Sequence, residues 1–110
     1  MDRAWSGDGV LLGRMEGNVP GYLSYSVEYG EVLCVFRSMT EAEEFYARWR
    51  LQIPGEGWGA VRLSPEELVG VLTNFDLVSI SPQPVPGATE YLLPVEDFAQ
   101  MLRDSQRLGR

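Results

Sequence analysis

The stretch from Ala60 to Ser81 constrains the fold more than any other part of this sequence. It predicts a strand, a capped helix and a second strand with very short connections. Ser64 at the N-cap, Pro65 at the first helical position and Glu67 three residues after the cap together form a capping box. The sequence therefore predicts that a helix begins at this point.

The rest of the same stretch predicts elements that lie against a core. Apolar residues cover a wide arc of the helix, namely Leu68, Val69, Val71 and Leu72. Asn74 follows the last apolar pair, which indicates a left-handed C-terminal cap. Residues 77–80 are a short aliphatic run that ends before Pro82, as is typical of a buried or central strand.

Length and charge limit the class of protein. A chain of 110 residues that is 45% hydrophobic suits a single domain over 1–110, with its own core and no need for a disulfide or structural metal. The net charge of −7 argues against binding nucleic acid or an anionic membrane through bulk electrostatics. The first residues lack a secretion signal and no run approaches membrane-spanning length. These features predict a soluble cytoplasmic protein.

Several residue types that carry catalysis are missing. The chain has no histidine, and all nine basic residues are arginine, a bias compatible with a thermophilic source. The commonest general base and metal ligand are therefore absent, as are lysine nucleophiles and a P-loop lysine. The single cysteine, Cys34, lies in an apolar run, which favours a core residue over a reactive thiol. We therefore expect no cofactor and no metal, and favour a non-enzyme.

The first part of the chain predicts a β-hairpin. Residues 22–28 and 31–36 are strand-like runs that flank Tyr29 and Gly30. The first run alternates in polarity and the second is nearly all apolar, which predicts an interior second strand. Residues 1–20 are rich in glycine and poorly defined, with one apolar piece over 10–12 that either forms a strand or packs over the core.

A second helix is predicted between this hairpin and the central stretch. Thr40 and Glu43 form a capping-box pair, which predicts a helix from Thr40 through about Leu51. Its core face carries apolar residues at helical spacing, namely Ala42, Phe45, Tyr46, Trp49 and Ile53. The glycine-rich residues 54–59 end this helix.

The last thirty residues predict a loop, a strand and a third helix. Residues 81–87 contain three prolines and predict a stiff loop. Residues 90–93 predict a strand, Pro94 opens the final helix, and the tail from about Ser105 is expected to fray. The full order predicts an α+β fold, in which a mixed sheet of about five strands is covered by three helices; an α/β layered sandwich is the close alternative.

Four landmarks in this pattern resemble the N-terminal domain of the SseB family, a bacterial group of small α/β domains named for enhanced serine sensitivity. They are Val35-Phe36-Arg37-Ser38, the run 63–68, Ser81-Pro82, and the run 93–98 leading to Leu102. The resemblance covers roughly residues 30 to 104, and this chain has Ser81 where the family usually has asparagine. It implies the fold and a bacterial source, and it brings no catalytic residues.

Three acidic clusters invite a metal-site interpretation. Each falls at the start of a predicted helix: Glu41, Glu43 and Glu44; Glu66 and Glu67; Glu96 and Asp97. Carboxylates at a helix N-terminus complement the helix dipole and the free backbone N–H groups, so helix stabilisation explains all three clusters together. Glycines over 7–13 and 55–59 lack the strand-to-helix context of phosphate loops, and turns explain them better.

Four aromatic residues are the candidate partner-binding residues. Trp58 lies between glycines, where it either folds onto the core as a lid or is left free for a partner. Tyr22, Tyr25 and Tyr29 on the hairpin carry the same two interpretations, because tyrosine suits both half-buried sheets and interfaces.

Two hypotheses for the function follow. The first is a non-catalytic protein-interaction or regulatory module that binds another protein or itself, for example as a homodimer. The alternative is a small ligand-binding protein or a carboxylate- and arginine-based enzyme. Its candidate ligand-binding residues are Arg37 and Arg62, which lie near predicted strand ends, and it requires a pocket with a carboxylate and an arginine.

Overall fold

The computed structural model of this protein describes residues 8–81 and 92–108, and within them it forms seven strands and three helices. In chain order these are β1 (Gly9–Glu16), β2 (Val19–Tyr22), β3 (Ser24–Val27), β4 (Gly30–Val35), α1 (Met39–Trp49), β5 (Gly59–Leu63), α2 (Pro65–Leu72), β6 (Leu77–Ile80), β7 (Leu92–Pro94) and α3 (Val95–Leu108). The predicted α+β class is confirmed. From β3 onward the order matches the prediction, and β1 and β2 add two strands to the predicted five.

The strands form two sheets that meet at a corner. In one sheet β1 lies between β2 and β5, and in the other the order is β3-β4-β6-β7. Only β4 and β6 run parallel among the neighbouring strands of the described residues. Backbone hydrogen bonds between Val10 and Phe36 join the sheets, and Leu23 donates to the carbonyl of Leu12 while it accepts from Cys34. Because Leu23 alone separates β2 from β3, one extended segment borders both sheets.

The helices lie on opposite faces of the two joined sheets. Alternation along β1 places Leu11 in the cluster under α2 and α3, and it places Val10 and Leu12 in the cluster under α1. We call these the α2–α3 core and the α1 core. The α2–α3 core contains more buried apolar residues than the α1 core, among them the fully buried Leu33 and Phe98, so it is the larger of the two.

The predicted hairpin is confirmed as β3 and β4, with Val27 paired to Gly30 across the turn. Gly30 has φ of 137°, a backbone region that favours glycine. A Cβ at this position would also overlap the side chain of Asp76, which accepts a hydrogen bond from the Glu31 N–H. The turn therefore depends on glycine for two independent reasons.

The capping box that opens α2 is confirmed. The Glu67 N–H donates to Ser64 Oγ at 3.2 Å, and the Ser64 N–H donates to Glu67 Oε1 at 2.9 Å. The side chains of Leu68 and Leu72 then face the α2–α3 core and are buried. Four residues of local sequence therefore place the start of this helix correctly.

The predicted cap of α1 is wrong by two residues. Ser38, not Thr40, is the N-cap, because the Glu41 N–H donates to Ser38 Oγ at 3.1 Å. Both candidates have a glutamate three residues later, so the local signal does not separate them. The end of β4 decides the choice, since it leaves Ser38 in extended backbone at the point where the chain turns into the helix.

The predicted left-handed cap at Asn74 is also wrong. The C-cap of α2 is Thr73, which has right-handed φ and ψ of −63° and −14°. Asn74 and Phe75 donate their N–H groups to the carbonyls of Val71 and Leu72. These short-range bonds tighten the last turn and satisfy helix carbonyls without a left-handed residue.

Several sequence predictions lie outside the described residues: residues 82–87 of the proline-rich loop, residues 90–91 of the predicted strand, and residues 1–7. The described part of that strand is β7, and α3 extends past Ser105 to Leu108. In residues 8–81 and 92–108, no helix combines the length and the apolar character needed to cross a bilayer.

Candidate functional site

A groove of about 720 Å³ lies between β2 and α2, beside the α2–α3 core. Residues 19–22 of β2 form one wall, and α2 with the turn after it forms the other. Leu63, at the end of β5, completes the lining. The groove is more open than enclosed, and its surface is mainly apolar.

The α2 wall arises from helical spacing. Glu67, Gly70, Val71 and Asn74 line the groove at positions i, i+3, i+4 and i+7, so they share one helix face. The neighbouring face of α2 carries the buried Leu68 and Leu72.

Gly70 leaves this wall without a side chain in the middle of the helix. A Cβ built at Gly70 meets no atom within 4 Å, and the residue is exposed. Glycine inside a helix costs about 1 kcal/mol relative to alanine. Packing does not explain this glycine, since there is room for a larger residue.

The β2 wall is an edge strand that pairs only with β1 in the described structure. The Leu23 N–H donates to the Leu12 carbonyl, and backbone groups alternate in direction along a strand. The backbone N–H and C=O groups of Gly21 and Val19 therefore point toward β1, whereas the backbone groups of Tyr22 and Pro20 point away from it. Proline suits this outward position because it has no N–H to donate. The exposed edge therefore offers few backbone hydrogen-bond donors.

The charge of the groove is negative. Among the described residues that line the groove, Glu67 is the only acid or base besides the phenol of Tyr22. The carboxylate of Glu16 lies 3.5 Å from the position that a Cβ would take at Gly21. Alternation along β1 puts Glu16 on the same face as Val10 and Leu12, which is the face that α1 covers and not the groove face. Glu16 is paired with Arg14, whose guanidinium lies 3.0 Å from the carboxylate. No arginine is found among the lining residues that the structure describes.

Trp58 is half-buried and lies on the face of the β1 sheet opposite the groove. Its indole N–H donates to the Pro54 carbonyl at 2.9 Å, and its ring packs against the α1 core. The Arg14 guanidinium lies 5.3 Å from the ring centroid and donates to the Glu56 carbonyl. These contacts give Trp58 the geometry of a lid while part of its surface stays accessible.

The four candidate aromatic residues do not form one surface. Tyr22 lines the groove and packs against the α2–α3 core, whereas Tyr25 and Trp58 pack against the α1 core. Tyr29 is 81% exposed at the tip of the hairpin. Of the four, only Tyr22 therefore lies at the groove. The sequence does not predict the other groove residues as site residues.

The two candidate arginines lie outside the groove. Arg62 is exposed on β5. Arg37 follows β4, and its backbone N–H donates to Glu41 Oε1 at 2.8 Å. The same oxygen accepts from Ser81 Oγ at 3.0 Å, so Glu41 links the ends of the parallel strands β4 and β6.

The acidic clusters lie near helix N-termini, although only part of the first cluster is in a first turn. Glu41 is in the first turn of α1, whereas Glu43 and Glu44 follow it one turn later. The other two clusters are in the first turns of α2 and α3. In the described part of the chain, no three acidic or cysteine side chains converge as metal ligands.

Neither of two comparisons with known proteins identifies a family or a relative, so the function has to be inferred from the surfaces described above. A scan against protein-family models finds no model that matches the chain. A search of curated proteins finds no significant match either.

Proposed function

We propose that this protein is a non-catalytic protein-interaction or regulatory module and that the groove between β2 and α2 is its contact surface. The observation that carries the proposal is the open, mainly apolar groove beside the bare helix backbone at Gly70. Apolar grooves that a folded chain leaves open are typical binding sites for protein segments.

Exposed apolar side chains next to the groove support the proposal. Met15, on the adjacent part of β1, is 62% exposed and alternates to the same face of the sheet as Leu11 of the α2–α3 core. Tyr22 and Phe75 add aromatic surface to the lining, and aromatic residues are enriched in interface cores. A partner that covers the groove would bury all of these apolar groups.

The ligand-binding or enzymatic alternative has less support. It requires a carboxylate and an arginine in one cleft. Within the described part of the groove lining, the one carboxylate is that of Glu67, which accepts a hydrogen bond in the capping box, and no arginine is present. Binding without chemistry therefore fits the groove better.

Kinship with the SseB family, a bacterial source and a cytoplasmic location remain parts of the same proposal. The order of elements from β3 to α3 supports the kinship, because the described residues of the four landmarks lie at strand ends and helix starts. A regulatory role is compatible with a small domain that binds through one surface.

A peptide-display selection tests the proposal. The wild-type protein is used to select peptides from a random library, and each selected peptide is then measured against Gly70→Trp and Ala47→Trp. Gly70→Trp fills the groove where the structure has space, whereas Ala47→Trp makes a comparable change at an exposed position of α1.

We expect a set of groove-dependent peptides, whose affinity falls at least about tenfold in Gly70→Trp and is unchanged in Ala47→Trp. Circular dichroism would check that both variants are folded. A selection that yields no peptides, or only peptides that bind Gly70→Trp as well as wild type, would contradict the proposed contact surface.

A further inference from the structure

We infer that the groove receives one face of a basic amphipathic helix from a different protein. This inference rests on the proposed function, since it names the partner of the same groove. It goes further by specifying the partner's secondary structure and charge, and by excluding a second copy of this chain as the occupant.

The β2 edge argues against an added strand. Strand addition requires a row of outward N–H and C=O groups along the edge. β2 has four residues, and the backbone groups of two of them, Pro20 and Tyr22, point away from β1. Because Pro20 has no N–H, Tyr22 is the only residue of β2 that offers a backbone N–H along this edge. Short edges that contain proline are poor templates for pairing. An extended peptide would therefore gain little from this wall.

The α2 wall suits an approaching helix. Gly70 removes the side chain at the centre of the groove-facing row of α2, and nothing lies within 4 Å of its Cβ direction. Helices pack with their axes about 8 to 10 Å apart, and small residues at the contact permit the closer distances. Val71 and Phe75, which also line the groove, then offer apolar contacts near the glycine. A helix that presents apolar residues at i, i+3, i+4 and i+7 matches this surface.

The charges favour a basic partner over a second copy. Glu67 lines the groove, and none of the described lining residues is an arginine. The whole chain carries a net charge of −7, so two copies would repel each other. Lysine or arginine on the partner helix would instead gain attraction at the rim, which also speeds association.

The groove-dependent peptides from the selection described above provide the test. We expect these peptides to carry net positive charge and apolar residues at helical spacing. We also expect a proline placed in the middle of each peptide to reduce its affinity at least about tenfold, because proline breaks a helix. Peptides that bind the protein through charge alone are removed beforehand, since they bind Gly70→Trp equally well.

Glu67→Gln tests the charge without removing the helix cap, because glutamine also serves in a capping box. We expect this variant to bind the groove-dependent peptides several-fold more weakly than wild type, with a smaller dependence on salt concentration. Unchanged affinity and salt dependence would overturn the basic character of the partner.

The outcomes separate this inference from the proposed function. Groove-dependent peptides that are acidic, or that tolerate the central proline, would overturn the inference and leave the contact surface standing. A wild-type dimer that Gly70→Trp converts to a monomer in light scattering would do the same, since a second copy would then occupy the groove. The absence of groove-dependent peptides would overturn both.

Discussion

Ser81 shows at the scale of one residue how a strained backbone is retained. Its φ of 51° lies in the left-handed region, which costs a non-glycine residue about 1 kcal/mol or more. Its N–H donates to the Val35 carbonyl and its hydroxyl donates to Glu41. These two bonds tie the end of β6 to β4 and α1. The residue before a proline ordinarily prefers extended backbone, so the sequence does not predict this conformation.

We expect Ser81→Ala to lower the free energy of unfolding by about 1 kcal/mol, because it removes the hydrogen bond to Glu41 and keeps the strain. Ser81→Gly loses the same bond but relieves the left-handed backbone. It should therefore be more stable than Ser81→Ala by about 1 kcal/mol. Urea unfolding of the three proteins would measure both differences. Equal stability of the two variants would argue against a strained backbone at this position.

At the scale of elements, the start of α1 gives a direct comparison of two candidate caps. Ser38→Ala should lower the free energy of unfolding by about 1 kcal/mol, because Ser38 Oγ accepts the Glu41 N–H. Thr40→Ala, inside the helix, should change it by less than about 0.5 kcal/mol. Thermal unfolding of both variants would decide between the caps. A larger loss in Thr40→Ala would restore the prediction made from the sequence.

The same scale contains the unusual glycine of α2. We expect Gly70→Ala to raise the free energy of unfolding by about 1 kcal/mol, because alanine has the higher helix propensity and its methyl group meets open space. Ala47→Gly on the exposed side of α1 is the reciprocal control and should lower it by a similar amount. Chemical denaturation would compare the two. Destabilisation by Gly70→Ala would mean that the groove wall is more crowded than the structure indicates.

At the scale of the whole molecule, the position of the α2–α3 core predicts which substitutions destabilise the protein. Leu68 is fully buried in the α2–α3 core, whereas Leu51 is 89% exposed after α1. Leu68→Ala should lower the free energy of unfolding by about 3 kcal/mol through lost burial and a cavity. Leu51→Ala should change it by less than about 0.5 kcal/mol. Calorimetry on both variants checks this contrast, and similar losses would contradict the placement of the core.

The elements of this fold that the sequence predicted well are those with short-range signals. The cap at Ser64, the hairpin around Gly30 and the strand over 77–80 depend on residues within a few positions of each other. The apolar piece over 10–12 does not by itself identify β1 as a strand, because it contributes to both cores and therefore lacks a polar face. β1 lies at the centre of its sheet because it pairs with β5, which is distant in the sequence, as well as with β2.

By itself, the sequence therefore determined the α+β class, the order of elements from the hairpin onward and the start of α2, since capping, alternation and proline act locally. Only the tertiary structure decided between Ser38 and Thr40, set the backbone of Ser81 and placed Tyr22 opposite Gly70 across a groove. These features join segments that are distant in the chain. Packing of the sheet against α2 brings them together, and no local pattern encodes that meeting.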